Sequence, residues 1–279
     1  NFVVYATYVM FFPQLVAGPI ERPQNLLHQF TQHHSFDYDR ITSGLKRMAW
    51  GFFKKLVVAD RLALYVNDVY GAPQNFNGLQ LTMATVFFAY QIYCDFSGYS
   101  DIAIGSARVL GFKLMENFDT PYHSRSVGEF WRRWHISLST WFRDYVYVPL
   151  GGSRVGSIRR TRNILVTFGM SGLWHGANWT YVIWGLLNGV YLILGWITQP
   201  INARLLSAIR LSEKNPLVQA GMVLSTFFLT CVAWVLFRAR TLQDAWYIYT
   251  HWTKNWDWHS VITPNFHLKH FPAAILAVF

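Results

Sequence analysis

The sequence predicts an all-α, polytopic membrane helix bundle, and three observations predict it. Of the 279 residues, 52% are hydrophobic and 18% aromatic while only 14% are charged, against roughly 25% charged in an average soluble domain. The runs Leu217 to Phe237 and Thr180 to Thr198 contain no Asp, Glu, Lys or Arg over 21 and 19 residues, and a helix of about 20 apolar residues crosses a hydrocarbon core about 30 Å thick. The basic residues behind the net charge of +10 lie in connections between apolar runs instead of forming one polar domain.

Taken in order, Asn1 to Ile20 is a first uncharged run, although Pro13 limits any helix there. Met48 to Tyr65 carries Lys54, Lys55, Asp60 and Arg61. Such a helix lies in the interface, faces protein, or lets its long cations reach the headgroups. Gly71 to Cys94 is another uncharged run, polar in its first ten residues, and it leads into Asp95-Phe96-Ser97-Gly98-Tyr99-Ser100-Asp101. Carboxylates at such a place must be paired, protonated or solvated by a cavity. A structural ion pair is expected of Asp101, with lining a cavity as the alternative, and Arg108, seven residues on and near the same helical face, is a candidate partner.

From Val127 to Tyr147 the sequence predicts one amphipathic helix. Ser126 and Glu129 form a capping box that satisfies free amides at its start. Helical spacing places Trp131, His135, Leu138 and Phe142 on one face and turns Arg132 and Arg133 away from it. Gly151 to Asn163 is a polar connection with Arg154, Arg159, Arg160 and Arg162, the kind of short basic loop that stays cytoplasmic. The two long spans follow. Polar connections also fall at 21–40, 67–77, 115–125, 203–216 and 238–270, and nothing resembles an internal repeat or an interdomain linker. Residues 1–279 are therefore expected to be a single membrane-embedded domain. A chain that begins with Asn1 and stops inside a hydrophobic run reads as an internal piece of a longer protein, truncated at both ends.

Several functions are disfavoured. Attraction to anionic lipid headgroups explains the basic excess more simply than nucleic acid does. Cys94 and Cys231 sit in separate apolar runs and suggest neither a disulfide nor a metal site. His28, His33 and His34 lack cysteine or ordered carboxylate partners, so no metal centre is expected. His251, His259, His267 and His270 read as surface residues beside aromatic anchors. The His34 to Asp39 spacing only imitates an acyltransferase His-x4-Asp pattern, and Walker, dinucleotide and nucleophile-elbow motifs are missing from the sequence.

Two histidines remain as catalytic candidates. His175 lies in Gly172-Leu173-Trp174-His175-Gly176-Ala177-Asn178-Trp179, an imidazole set in apolar sequence with glycines that permit close approach. The bland alternative is a core histidine satisfied by a backbone carbonyl. His135 stands forty residues earlier, and together the two suggest an acid/base pair, or a base with its orienting partner. Transfer to a hydroxyl needs such a group, because a hydroxyl is a poor nucleophile until something accepts its proton.

Five motifs in order, Phe11-Phe12-Pro13-Gln14-Leu15-Val16-Ala17-Gly18-Pro19-Ile20, Asp95-Phe96-Ser97-Gly98-Tyr99-Ser100-Asp101, Glu129-Phe130-Trp131-Arg132-Arg133-Trp134-His135-Ile136-Ser137, Arg143-Asp144-Tyr145 and Leu173-Trp174-His175-Gly176-Ala177, resemble the membrane-bound O-acyltransferase family and its bacterial alginate O-acetyltransferase branch. Beyond residue 200 the resemblance rests on hydropathy. It implies helices enclosing a tunnel through the bacterial inner membrane, crossed many times, with His175 at the family's invariant histidine and His135 at the second polar position. It further implies acetyl-CoA as the cytoplasmic acyl donor, no bound cofactor, and O-acetylation of an exported polysaccharide such as alginate, directly or through a periplasmic or surface partner protein. Arg132, Arg133 and the 154–162 connection are candidates for attracting the donor's phosphates. Two alternatives stay open: D-alanyl transfer to teichoic acid on the same fold, and a transporter in which histidine relays protons.

Overall fold

The computed structural model describes residues 2–15, 18–208 and 211–257, and among them every extended element is helical. By backbone contacts the chain divides into two compact units.

Among the described residues, the first unit comprises those up to 68, 86–118 and Asp257. Its opening helix α1 (Phe2–Met10) ends early, because Pro13 starts a 3-10 turn over Phe12–Gln14. The first uncharged run is thus no single span. The short α2 (Pro23–Leu26) leads to α3 (Tyr38–Phe52), whose N-cap Asp37 accepts the Arg40 amide at 2.9 Å. That use of Asp37 explains the acidic cluster after His34 as helix capping. The rod continues through a π-helical turn, Phe53–Ala59, into α4 (Asp60–Gly71). Against it packs α5 (Gly78–Val109), 32 residues or about 48 Å long. Glycines allow the approach. A Cβ on Gly51 would stand 2.5 Å from the Gly98 carbonyl oxygen, and one on Gly105 would stand 2.6 Å from that of Gly44.

This close contact brings charges together. Asp101 accepts Arg47 Nε at 2.9 Å and pairs with buried Lys54 at 2.5 Å, while Lys54 also donates to Ser97 at 2.9 Å. Arg47 grips Glu116 through both terminal nitrogens. The ion pair expected of Asp101 is therefore present, but its partners come from α3 and the π turn, not from Arg108. Asp95 pairs with Lys55, which Asp60 shares.

The second unit comprises 69–85 and 119–256. Here the expected long amphipathic helix is two helices, α6 (Val127–Arg133) and α7 (Ile136–Phe142), followed by a π turn at Arg143–Tyr147. The cap falls where it was expected: Ser126 Oγ accepts the Glu129 amide at 3.1 Å, and Glu129 reaches back to the Arg125 amide at 2.8 Å. Burial works against the charge of Glu129, yet that amide together with Arg133, Arg125 and Arg132 outweighs it and holds the carboxylate below its ordinary range. Next comes α8 (Ser157–His175), which takes up half of the basic connection as its first turns. It is followed by α9 (Trp179–Ala208), α10 (Pro216–Arg238) and α11 (Leu242–His251). Trp179–Asn202 and Pro216–Arg238 are long and apolar enough to cross a membrane, matching the two uncharged runs to within a few residues.

Helices α8 and α9 form an antiparallel hairpin. Gly185 meets the Phe168 carbonyl so closely that an added Cβ would lie 2.2 Å from it, and Gly172 meets the Tyr181 carbonyl at 2.3 Å in the same sense. Without side chains at those two positions the backbones can touch, as small residues permit between membrane helices. At the hairpin's open end the Arg160 guanidinium lies 4.0 Å over the Trp196 ring.

Candidate functional site

His175 is the last residue of α8, at the closed end of the hairpin. Gly176 stops the helix with φ +156° and ψ 155°, a conformation open essentially to glycine alone. A Cβ there would also strike the Tyr181 ring at 2.9 Å. Asn178 then starts α9 by accepting the Thr180 amide at 3.1 Å. The turn of three residues fixes where the imidazole points, into a group of rings. Their centroids lie at 4.9 Å for Trp174, 5.1 Å for Phe237 and 5.2 Å for Trp184, each near perpendicular, with Tyr181 at 6.5 Å. The ring is partly exposed, and no hydrogen bond to it occurs among the described residues. A core histidine held by a backbone carbonyl would look different.

His135 reaches the same place by an unusual backbone. It is the second of two residues between α6 and α7, with φ 43° and ψ 55°, left-handed geometry that costs a non-glycine residue about 1–2 kcal/mol. The sequence pattern gives no sign of it, because the spacing Trp131, His135, Leu138, Phe142 suits an unbroken helix. The break re-aims the side chain: His135 is 6% exposed and its ring centroid lies 6.4 Å from that of Trp174. Trp174, 56% exposed, therefore touches both imidazoles.

Behind them stands an aromatic scaffold. Trp184, 2% exposed, stacks on Trp234 at 6.0 Å, and Trp234 packs on Trp134 at 5.1 Å. Trp131 meets Trp184 and Phe168 edge-on and donates its indole N–H to Asn188 at 3.3 Å. Trp234 donates to the Tyr122 hydroxyl at 3.2 Å. So α6, α8, α9 and α10 hold one rigid wall, with the indole N–H groups of Trp131 and Trp234 satisfied. The aromatic stripe of α6 and α7 is mainly packing. Trp184, Tyr181 and Phe237 complete the surroundings of His175, and nothing in their spacing announces it, since each comes from a different turn or helix.

The remaining candidates divide. Arg133 is occupied, pairing with Glu129 at 2.8 Å and donating to Thr120 at 3.2 Å. Arg132 is exposed with no ion pair among the described residues. Arg154 and Arg159 are exposed, and Arg162 donates to Asn163 at 3.1 Å. His34 packs at a tilt on Phe112, ring centroids 4.6 Å apart, and bonds the Gln29 carbonyl at 2.9 Å. His251 stacks on Tyr247 at 3.9 Å. His259, His267 and His270 lie outside the described residues.

Comparison with known proteins fits this arrangement. The profile described as membrane-bound O-acyltransferase family matches residues 1–239, well past the point where the motifs stop. The chain is similar to the protein named probable alginate O-acetylase AlgI in Azotobacter vinelandii, 40% identical over 92% of this chain and 49% of that protein. Its namesake in Pseudomonas aeruginosa is 42% identical over 89% of this chain and 45% of its own. A peptidoglycan O-acetyltransferase of Helicobacter pylori is 38% identical over 88% and 45%. The chain spans about half the length of these curated relatives.

Proposed function

We propose, from the premise that this chain belongs to the membrane-bound O-acyltransferase family, that it forms the catalytic part of an acetyltransferase. The family makes it a membrane protein, and α9 and α10 agree. In our reading it crosses the bacterial inner membrane many times and encloses a tunnel. It passes acetyl from cytoplasmic acetyl-CoA toward the outer face, for O-acetylation of an exported polysaccharide such as alginate. A periplasmic or surface partner either finishes the transfer or is bypassed.

One observation carries the reading more than any other: the two imidazoles meet across Trp174. His175, free of any hydrogen bond among the described residues, is available to take the proton of an attacking hydroxyl as its oxygen bonds the acetyl carbon. The carbon–sulfur bond then breaks, and the thiolate leaves with the proton that His175 returns. His135, buried and fixed by its left-handed backbone, orients or polarises the reacting groups. The names of the relatives, two acetylases of glycan polymers among them, favour acetyl over D-alanyl.

The test is His175→Ala in the full-length protein, with acetyl-ester content of the secreted polysaccharide as readout and membrane abundance as control. General acid–base catalysis contributes about a hundredfold or more, so esters should fall at least that far at unchanged abundance. Normal ester content would refute the assignment, and lost D-alanyl esters with acetyl esters intact would move it to the teichoic acid alternative.

A further inference from the structure

From Tyr145 to Ser212 the chain runs for 68 residues with six arginines and not one carboxylate. The fold gathers five of them at the open end of the α8–α9 hairpin: Arg154 in the connection that enters α8, Arg159, Arg160 and Arg162 in its first two turns, and Arg204 near the end of α9. Arg210 lies outside the described residues. Buried Asn163 donates to the Leu150 carbonyl at 2.9 Å and to that of Gly152 at 3.3 Å, which folds the glycine turn back onto α8. Arg162 is occupied by Asn163. Arg154, Arg159 and Arg204 are exposed and make no ion pair among the described residues. The Arg160 guanidinium lies over the Trp196 ring, and its Nε is buried with no acceptor among the described residues. Helix α8 itself begins at Gly156, which has no side chain to accept the free amides of the first turn. Guanidiniums and free amides with no protein anion beside them favour an anion from outside.

The neighbouring surface selects the kind of anion. Trp196 lies within the part of α9 that is long and apolar enough to cross a membrane, six residues or about 9 Å before its end at Asn202. On α9, Leu186, Val190, Leu194, Ile197 and Ile201 are exposed at steps of four, four, three and four, so they form one stripe, and Arg204 follows three residues further on. Helix α8 repeats the pattern, for exposed Val166, Met170 and Leu173 share a face with Arg162 and Arg159. Ile158, in the first turn of α8, is 87% exposed. Apolar stripes that end in arginines match a molecule with apolar chains and an anionic head. The phosphates of a water-soluble nucleotide have no use for the stripes. His175 stands at the other end of α8, about 27 Å away along its 19 residues.

We propose that the open end of the hairpin binds an anionic glycerophospholipid, its phosphate diester on Arg160 and Arg159 and its acyl chains along the stripe of α9. Such a site needs only the membrane setting that the family gives, not the acyl-transfer reading. Full-length protein in detergent is incubated with equimolar phosphatidylglycerol and phosphatidylcholine of the same chains, and bound lipid is counted by mass spectrometry of the intact complex. Wild-type protein should retain phosphatidylglycerol over phosphatidylcholine by about tenfold or more, and by less as salt rises. Arg160→Gln should cut that preference about fivefold, the effect of one basic residue at an anionic surface, and adding Arg159→Gln should cut it about fivefold again. Arg61→Gln, which removes an exposed arginine of α4, should leave it unchanged. Equal retention of the two lipids by the wild type, or of neither because the rest of the chain covers the stripes, overturns the proposal. An unchanged preference in Arg160→Gln does so too, as does an equal loss in Arg61→Gln. Release of phosphatidylglycerol by coenzyme A, with Arg160→Gln losing coenzyme A binding, would give the arginines to the acyl donor and overturn it as well. If Arg160→Gln fails to fold, Arg159→Gln, whose side chain is exposed, decides alone, and an unchanged preference there is fatal.

Discussion

Position 135 joins two demands in one residue, an imidazole at the site and a left-handed backbone to aim it. The two can be separated by substitution. His135→Ala and His135→Gly both remove the ring, but only alanine keeps the cost of φ 43°. That cost, about 1–2 kcal/mol, exceeds the extra chain entropy of glycine, about 0.5–1 kcal/mol. His135→Gly should therefore unfold at a higher temperature than His135→Ala, by a difference near 1 kcal/mol, while both lose acetyl transfer. Equal unfolding temperatures would mean that the backbone between α6 and α7 relaxes without the imidazole. His175 is the opposite case, ordinary in backbone and unusual in surroundings, because a glycine turn and three perpendicular rings fix it.

Among the elements, the α8–α9 hairpin sets the position of the site, and its register depends on two glycines. An alanine at 185 would put a methyl group 2.2 Å from the Phe168 carbonyl oxygen, whereas Gly195 on the same helix has nothing within 4 Å. Gly185→Ala should destabilise the protein by about 1–3 kcal/mol, as overpacking does. Gly195→Ala should be neutral or stabilise it by up to about 1 kcal/mol through helix propensity. Thermal unfolding in detergent compares them, and similar effects at both positions would remove close packing as the cause. The ion cluster of α3, the π turn and α5 follows the same logic. Gly51 and Gly98 bring the backbones close enough for Lys54 and Arg47 to reach Asp101.

For the whole molecule, the arrangement of basic residues predicts an orientation. Single cysteines placed at Ser153 and at Ala177 in a cysteine-free variant should react with an impermeant maleimide from opposite sides of the membrane. Ser153 should be labelled only in inverted vesicles and Ala177 only in intact spheroplasts. Labelling of both from one side would contradict the antiparallel crossing of α8. Much of this architecture was legible in the sequence: the two uncharged runs marked α9 and α10, Ser126 and Glu129 marked the start of α6, and the motif around His175 marked the site. The limit that Pro13 sets on the first uncharged run was legible too, for α1 ends at Met10 and a 3-10 turn follows. Arg108 misled as the partner of Asp101, since proximity along a helix does not reveal which cations a neighbouring rod brings.

The sequence by itself determined the helical class and the membrane setting and singled out both candidate histidines, because each depends on hydropathy, local caps or motifs that are contiguous in the chain. Only the tertiary structure decided that the helix breaks at His135 and that Trp184, Tyr181 and Phe237 surround His175. The physical reason is that these outcomes depend on contacts between residues far apart in the chain, where packing between helices overrides what local spacing prefers.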